Sequence, residues 1–105
     1  MLCAFEGAPN IVRFYGKGEV LEKGSEGFEA LASHFEELPG TRSIIKVEVD
    51  CIRDSCGYSV PLYEYAGERE TLTKWAEKKG ADGVVDYQAA KNTKSLDGLP
   101  GLDRS

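Results

Sequence analysis

The spacing of apolar and polar positions changes period along this chain and divides it into elements. Met1 to Phe5 is a short apolar run, closed by the breakers Gly7, Ala8, Pro9 and Asn10, and predicts a first strand and turn. Ile11 to Leu21 then alternates, with Ile11, Arg13 and Tyr15 to one side and Val12 and Phe14 to the other. Gly16 and Gly18 interrupt that alternation and predict a bulge or sharp bend. After a candidate N-cap at Ser25, the residues Phe28, Leu31, Ala32, Phe35 and Leu38 recur at helical spacing until Pro39-Gly40.

Thr41 to Ile52 carries the clearest strand pattern. Ile45, Val47 and Val49 face one way, and the mostly polar Arg42, Ile44, Lys46, Glu48 and Asp50 face the other. Tyr58 to Tyr65 is a further strand candidate, placed near an edge by Pro61. A helix over 68–79 bears Leu72, Trp75 and Ala76 on one stripe and stops at Gly80 behind Lys78 and Lys79. Asp82 opens another through about Lys91, with Val84, Val85 and Ala89 inward, and 95–105 is a Gly/Pro-punctuated tail. Strands with one helix inserted, then helices, define an α+β order on a single domain over 1–105. The predicted sheet of four strands has open edges that a second copy of the chain can cover, beginning with the edge at Met1.

Composition narrows the function classes. At 41% apolar and 30% charged residues the chain has the balance of a soluble globular protein. A net charge of −5, with scattered Lys and Arg, argues against a nucleic-acid partner. No run reaches the length of a membrane span and no signal peptide is visible, so a cytoplasmic location is expected. Cys3, Cys51 and Cys56 are an odd set with no C-x-x-C, and His34 is the single histidine, so neither a disulfide framework nor a metal is expected. G-x-G-x-x-G, P-loop and G-x-S-x-G patterns are absent, and Glu36-Glu37 and Glu68-Glu70 read as solvated helix faces.

One combination of pieces is more specific. Met1–Gly7, Asn10–Gly18 with its Gly16-Lys17-Gly18, Asp54-Ser55-Cys56-Gly57-Tyr58 through Leu62, Gly67–Trp75, and Lys91–Leu102 with Asp97-Gly98-Leu99-Pro100-Gly101-Leu102 occur in one order. Together they resemble the pyridoxamine-5′-phosphate-oxidase-like family, the FMN-binding split barrels, and specifically the C-terminal portion of that pattern. The resemblance spans nearly all of the chain. It implies an α+β fold, here a partial or complete split β-barrel of antiparallel strands with two to three helices. It also implies a homodimer with two FMN sites between the subunits and flavin-based oxidation or reduction of a small-molecule substrate, the cofactor carrying the chemistry.

The resemblance suggests cofactor contacts but no catalytic side chain. Arg13 and Lys17 lie on the strand that borders the flavin and can donate to a phosphate or a flavin carbonyl. Ser55, Cys56 and Gly57 fall on a strand-end turn, where a hydroxyl and a backbone N–H can approach the flavin ring, and Tyr58, Tyr63 and Tyr65 can stack on it. A glutamine that meets the ring in relatives falls at or beside Ile11, so that contact is lost, and most phosphate-holding groups of the family would lie before Met1. A dianionic phosphate needs about two or three converging donors. Arg42 and Arg53 are further candidates. Related barrels also hold haem or deazaflavins. The alternative is a non-catalytic dimerising split-barrel module without cofactor.

Overall fold

The computed structural model describes residues 1–102. In chain order the elements are β1 (Leu2–Cys3), β2 (Asn10–Glu22), α1 (Glu26–Ala32), β3 (Ser43–Cys56) and α2 (Thr71–Lys91). The strands form one three-stranded antiparallel sheet in the order β1-β2-β3, with Leu2 opposite Val12 and Cys3 opposite Ile11. This is an α+β arrangement on an open sheet, compatible with part of a split barrel. The chain divides into two compact units. One holds residues 1–20 and 45–68, the other 21–44 and Arg69 onward.

In the first unit β2 and β3 run as long strands. Gly16 lets them approach closely, because a Cβ there would run into the Glu48 carbonyl oxygen. At the far end a Cβ on Gly57 would stand 2.7 Å from the Asn10 nitrogen. β2 runs as one strand from Asn10 to Glu22 through Gly16 and Gly18, without the interruption expected there. The stretch expected as a fourth strand, Tyr58 to Tyr65, is irregular. A tight turn closed by Val60 N–H to Gly57 C=O (2.8 Å) reverses the chain first, and one ladder-like bond, Tyr63 N–H to Phe5 C=O (3.0 Å), follows. The Phe5 and Tyr63 rings pack there, tilted by 60° with centroids 5.2 Å apart. The apolar side chains buried among the described residues, Phe28, Ala76 and Val84, all belong to the other unit. The sheet of the first unit therefore has no buried apolar core of its own.

The second unit is built on α1 and α2. Ser25 caps α1 as anticipated, its hydroxyl accepting from Phe28 N–H at 3.2 Å. The helix stops at Ala32 instead of running to Leu38. Its last bonds tighten to the three-residue type, His34 N–H to Leu31 C=O and Phe35 N–H to Ala32 C=O (both 3.1 Å), which takes the chain out of the α conformation. Phe35 and Leu38 are exposed as a result. α2 is two helices merged across Gly80, whose φ of 73° and ψ of 165° are non-helical, so the glycine ends the first helix as expected.

Ala76, Val84 and Gln88 face inward on α2. Val85 and Ala89 do not, because the break at Gly80 resets the phase and puts the i, i+4 pair Val84/Gln88 on the inner side. Gln88 is held by donating its Nε2 to the Gly40 carbonyl (3.3 Å), beside Ala76. Trp75, expected in the core, is 36% exposed, its ring set edge-on against Tyr87 at 5.0 Å with Lys79 over both rings. After α2 the chain forms a small hairpin. Leu102 N–H bonds Asn92 C=O, Gly101 N–H bonds Thr93 C=O, and Lys94 bridges Pro100 around a turn at Gly98. The expected tail is thus anchored up to Leu102, and its last three residues lie outside the described residues.

Candidate functional site

Two features converge at the end of β3 in the first unit. Arg13, half-buried on β2, donates from Nη1 to Ser55 Oγ at 2.8 Å. The hydroxyl is the acceptor in this bond, so its own hydrogen stays available to a ligand, as do the other N–H groups of the Arg13 fork. One guanidinium and one hydroxyl thus point to a common place on the sheet, the donor types that hold an oxyanion.

The same unit holds a shallow cavity of about 380 Å³, whose walls include Cys3, Phe5, Ile11, Cys56, Gly57 and Tyr58 but neither Arg13 nor Ser55. The lining is mostly apolar and the cavity is widely open. Gly57 is buried against Asn10, and any side chain there would displace that backbone. Cys56 is exposed and Tyr58 is 84% exposed, with no other ring stacked on it among the described contacts. Strand β3 runs unbroken through Asp54-Ser55, so Ser55 and Cys56 are its last residues and not a turn, and Gly57 begins the turn that follows.

The structure therefore joins Arg13 to Ser55 and gathers Cys56, Gly57 and Tyr58 in one cavity, all at one end of the sheet. Lys17 is not brought there. It is exposed on β2, four residues from Arg13, a rise of about 13 Å along a strand. Tyr63 packs on Phe5 outside the cavity lining, and Tyr65 donates its hydroxyl to Glu68 Oε1 at 2.7 Å while its N–H bonds Glu6. That carboxylate, and desolvation after it, hold the Tyr65 phenol above its ordinary range. Arg42 lies in the other unit and donates to Asn92 Oδ1 at 2.9 Å.

Cys3, Phe5 and Ile11 were not anticipated as cavity residues. The signal that places them is the pairing of Cys3 with Ile11, which only the hairpin register reveals. Within the second unit another open cavity, of about 570 Å³, lies between Arg42, Arg69, Trp75 and Tyr87. Among the described residues no group of three His, Cys, Asp or Glu side chains is close enough to hold a metal ion. No described helix is long and apolar enough to cross a membrane.

Comparison with known proteins gives one informative match. The chain is 32% identical over 117 aligned residues to a pyridoxamine 5′-phosphate oxidase family protein of Aspergillus flavus. The match takes in 97% of this chain and 47% of that protein. No family model matches the chain, and no solved structure matches it. The chain is thus similar over nearly its whole length to part of a pyridoxamine 5′-phosphate oxidase family protein, consistent with the resemblance drawn from its motifs. It spans about half the length of the curated relative it matches.

Proposed function

We propose that this chain is the C-terminal half of a split-barrel flavoprotein that binds FMN and serves a small-molecule oxidoreductase, acting as a homodimer in the cytoplasm. The observation that carries the reading is the Arg13–Ser55 pair on the strands whose neighbouring residues Ile11 and Cys56 line an apolar cavity, in a chain similar over nearly its whole length to a pyridoxamine 5′-phosphate oxidase family protein.

The residues present fit one end of FMN. Arg13 and Ser55 supply a charged and a neutral donor to the phosphate, and the apolar walls at Ile11, Gly57 and Tyr58 offer one side to a flat ring. Glycine at 57 keeps the backbone N–H approachable. The opposite side of the ring faces solvent in this chain, so a second protein surface is needed to exclude water. When bound, the flavin supplies electron transfer to or from the substrate. The chain's own part is to anchor the phosphate, orient the ring and, with its partner, dry the site.

Quenching of FMN fluorescence on titration with the chain tests this. With Arg13→Ala the affinity falls about tenfold or more, since a charge-assisted donor is lost, whereas Lys17→Ala changes it by less than about threefold. Equal loss in the two variants would detach the phosphate from the Arg13–Ser55 pair. The openness of the cavity favours a second reading, a non-catalytic module that binds no cofactor. Absence of quenching together with dimerisation would establish it.

A further inference from the structure

The cavity of about 570 Å³ within the second unit differs in chemistry from the chain around it. Acidic residues outnumber Lys and Arg by 18 to 13 in the sequence, yet among the described residues Arg42 and Arg69 line this cavity and no Asp or Glu does. Arg42 is positioned by its bond to Asn92 Oδ1, and Arg69 is exposed. The first turn of α2 supplies part of the wall at Thr71 and Leu72. That turn has no side-chain cap, because the Glu70 carboxylate at the N-cap pairs with Lys74 instead. The N–H groups of residues 71–73 therefore have no partner among the described residues, and they form the positive end of the helix dipole.

A second, independent feature is Gln88, a polar side chain only 6% exposed that lines the same cavity. Its Nε2 donates to the Gly40 carbonyl, which leaves its Oε1 without a donor among the described residues. A buried carbonyl oxygen in that state is costly until a hydrogen-bond donor reaches it. Trp75 and Tyr87, set edge-on at 5.0 Å, give the cavity an aromatic side.

We propose that this cavity binds a small aromatic carboxylate that carries a hydroxyl or amino hydrogen. Arg69 and the uncapped N–H groups of α2 meet the carboxylate, and the ring lies against Trp75 and Tyr87. The hydroxyl or amino group donates to Gln88 Oε1. A planar guanidinium matches a carboxylate in shape as well as charge, and the amides of a helix start take its remaining lone pairs. None of the residues proposed to hold FMN lines this cavity, so the inference does not rest on the flavin reading and is measured without flavin.

The probe is 4-hydroxybenzoate, titrated into the purified chain. Trp75 is the single tryptophan, so its indole N–H signal in a nitrogen-15-labelled sample reports on the cavity wall, while isothermal titration calorimetry gives the affinity. A saturating shift is expected, with a dissociation constant of about 1 mM or tighter. Arg69→Gln weakens binding about fivefold or more. Lys46→Gln removes the same charge from an exposed site on β3 and changes the affinity by less than about twofold. Two analogues test the other contacts without altering the protein. Benzoate, which lacks the hydroxyl, binds about threefold or more weakly, and 4-hydroxybenzamide, which lacks the charge, about tenfold or more weakly. A Trp75 signal that does not move, equal affinity for the three compounds, or equal loss in the two variants would each overturn the proposal.

Discussion

Arg13 and Ser55 are 42 positions apart in sequence, yet they form the polar contact that gives the cavity end of the sheet a chemical direction. Gly57 is the residue that makes this geometry possible, since its Cα lies against the Asn10 backbone. Gly57→Ala must push that backbone aside, and we expect a loss of about 1–3 kcal/mol in stability, read from urea unfolding of the chain. An unchanged midpoint would mean that the turn after β3 yields freely. Tyr65 offers a second test at this scale. Its phenol donates to the Glu68 carboxylate, which raises its titration above the ordinary value of 10.0. A proton held more tightly in the folded chain stabilises it below pH 10.0, and that contribution is lost as pH rises through the folded-state midpoint. Glu68→Gln should therefore lower the Tyr65 midpoint, followed by ultraviolet absorbance of phenolate against pH. A midpoint that does not move would remove Glu68 as the cause.

Among the elements, the helices show what local chemistry controls and what it does not. The Ser25 cap is a local device, and Ser25→Ala is expected to cost about 1 kcal/mol in thermal or urea unfolding. Gly80 holds a backbone conformation almost closed to other residues, so Gly80→Ala should destabilise the chain by about 1–3 kcal/mol. If helicity instead rose with no loss of stability, the break in α2 would not be a requirement of the fold. Both features were legible because capping and helix stopping are decided within a few residues. The end of α1 was not, since Phe35 and Leu38 keep helical spacing while the backbone has already tightened at Leu31 and Ala32. Nor was the fate of Tyr58 to Tyr65. Its alternation suits a strand, but strand formation needs a neighbour along its length, and only Tyr63 finds one, at Phe5.

At the scale of the molecule, the alternation of Ile45, Val47 and Val49 fixed a face but not what covers it. Apolar patterning reports that a surface must leave water and is silent about whether the covering layer comes from the same chain. The same limit explains Trp75, whose stripe on α2 was plain and whose ring nevertheless sits at the surface against Tyr87. Of the candidate site, the end of β3 was legible through Ser55-Cys56-Gly57-Tyr58, while Cys3 and Ile11 joined it only through the register of a hairpin. Under the proposed function, Arg13 and Ser55 anchor the phosphate of FMN and a second chain covers the open cavity. Titrating FMN with increasing concentrations of the chain, while following flavin fluorescence and sedimentation in parallel, tests this most directly. The account predicts quenching that saturates and rises in step with the dimer. Quenching that saturates while the chain is still monomeric, or none at any attainable concentration of dimer, would contradict it.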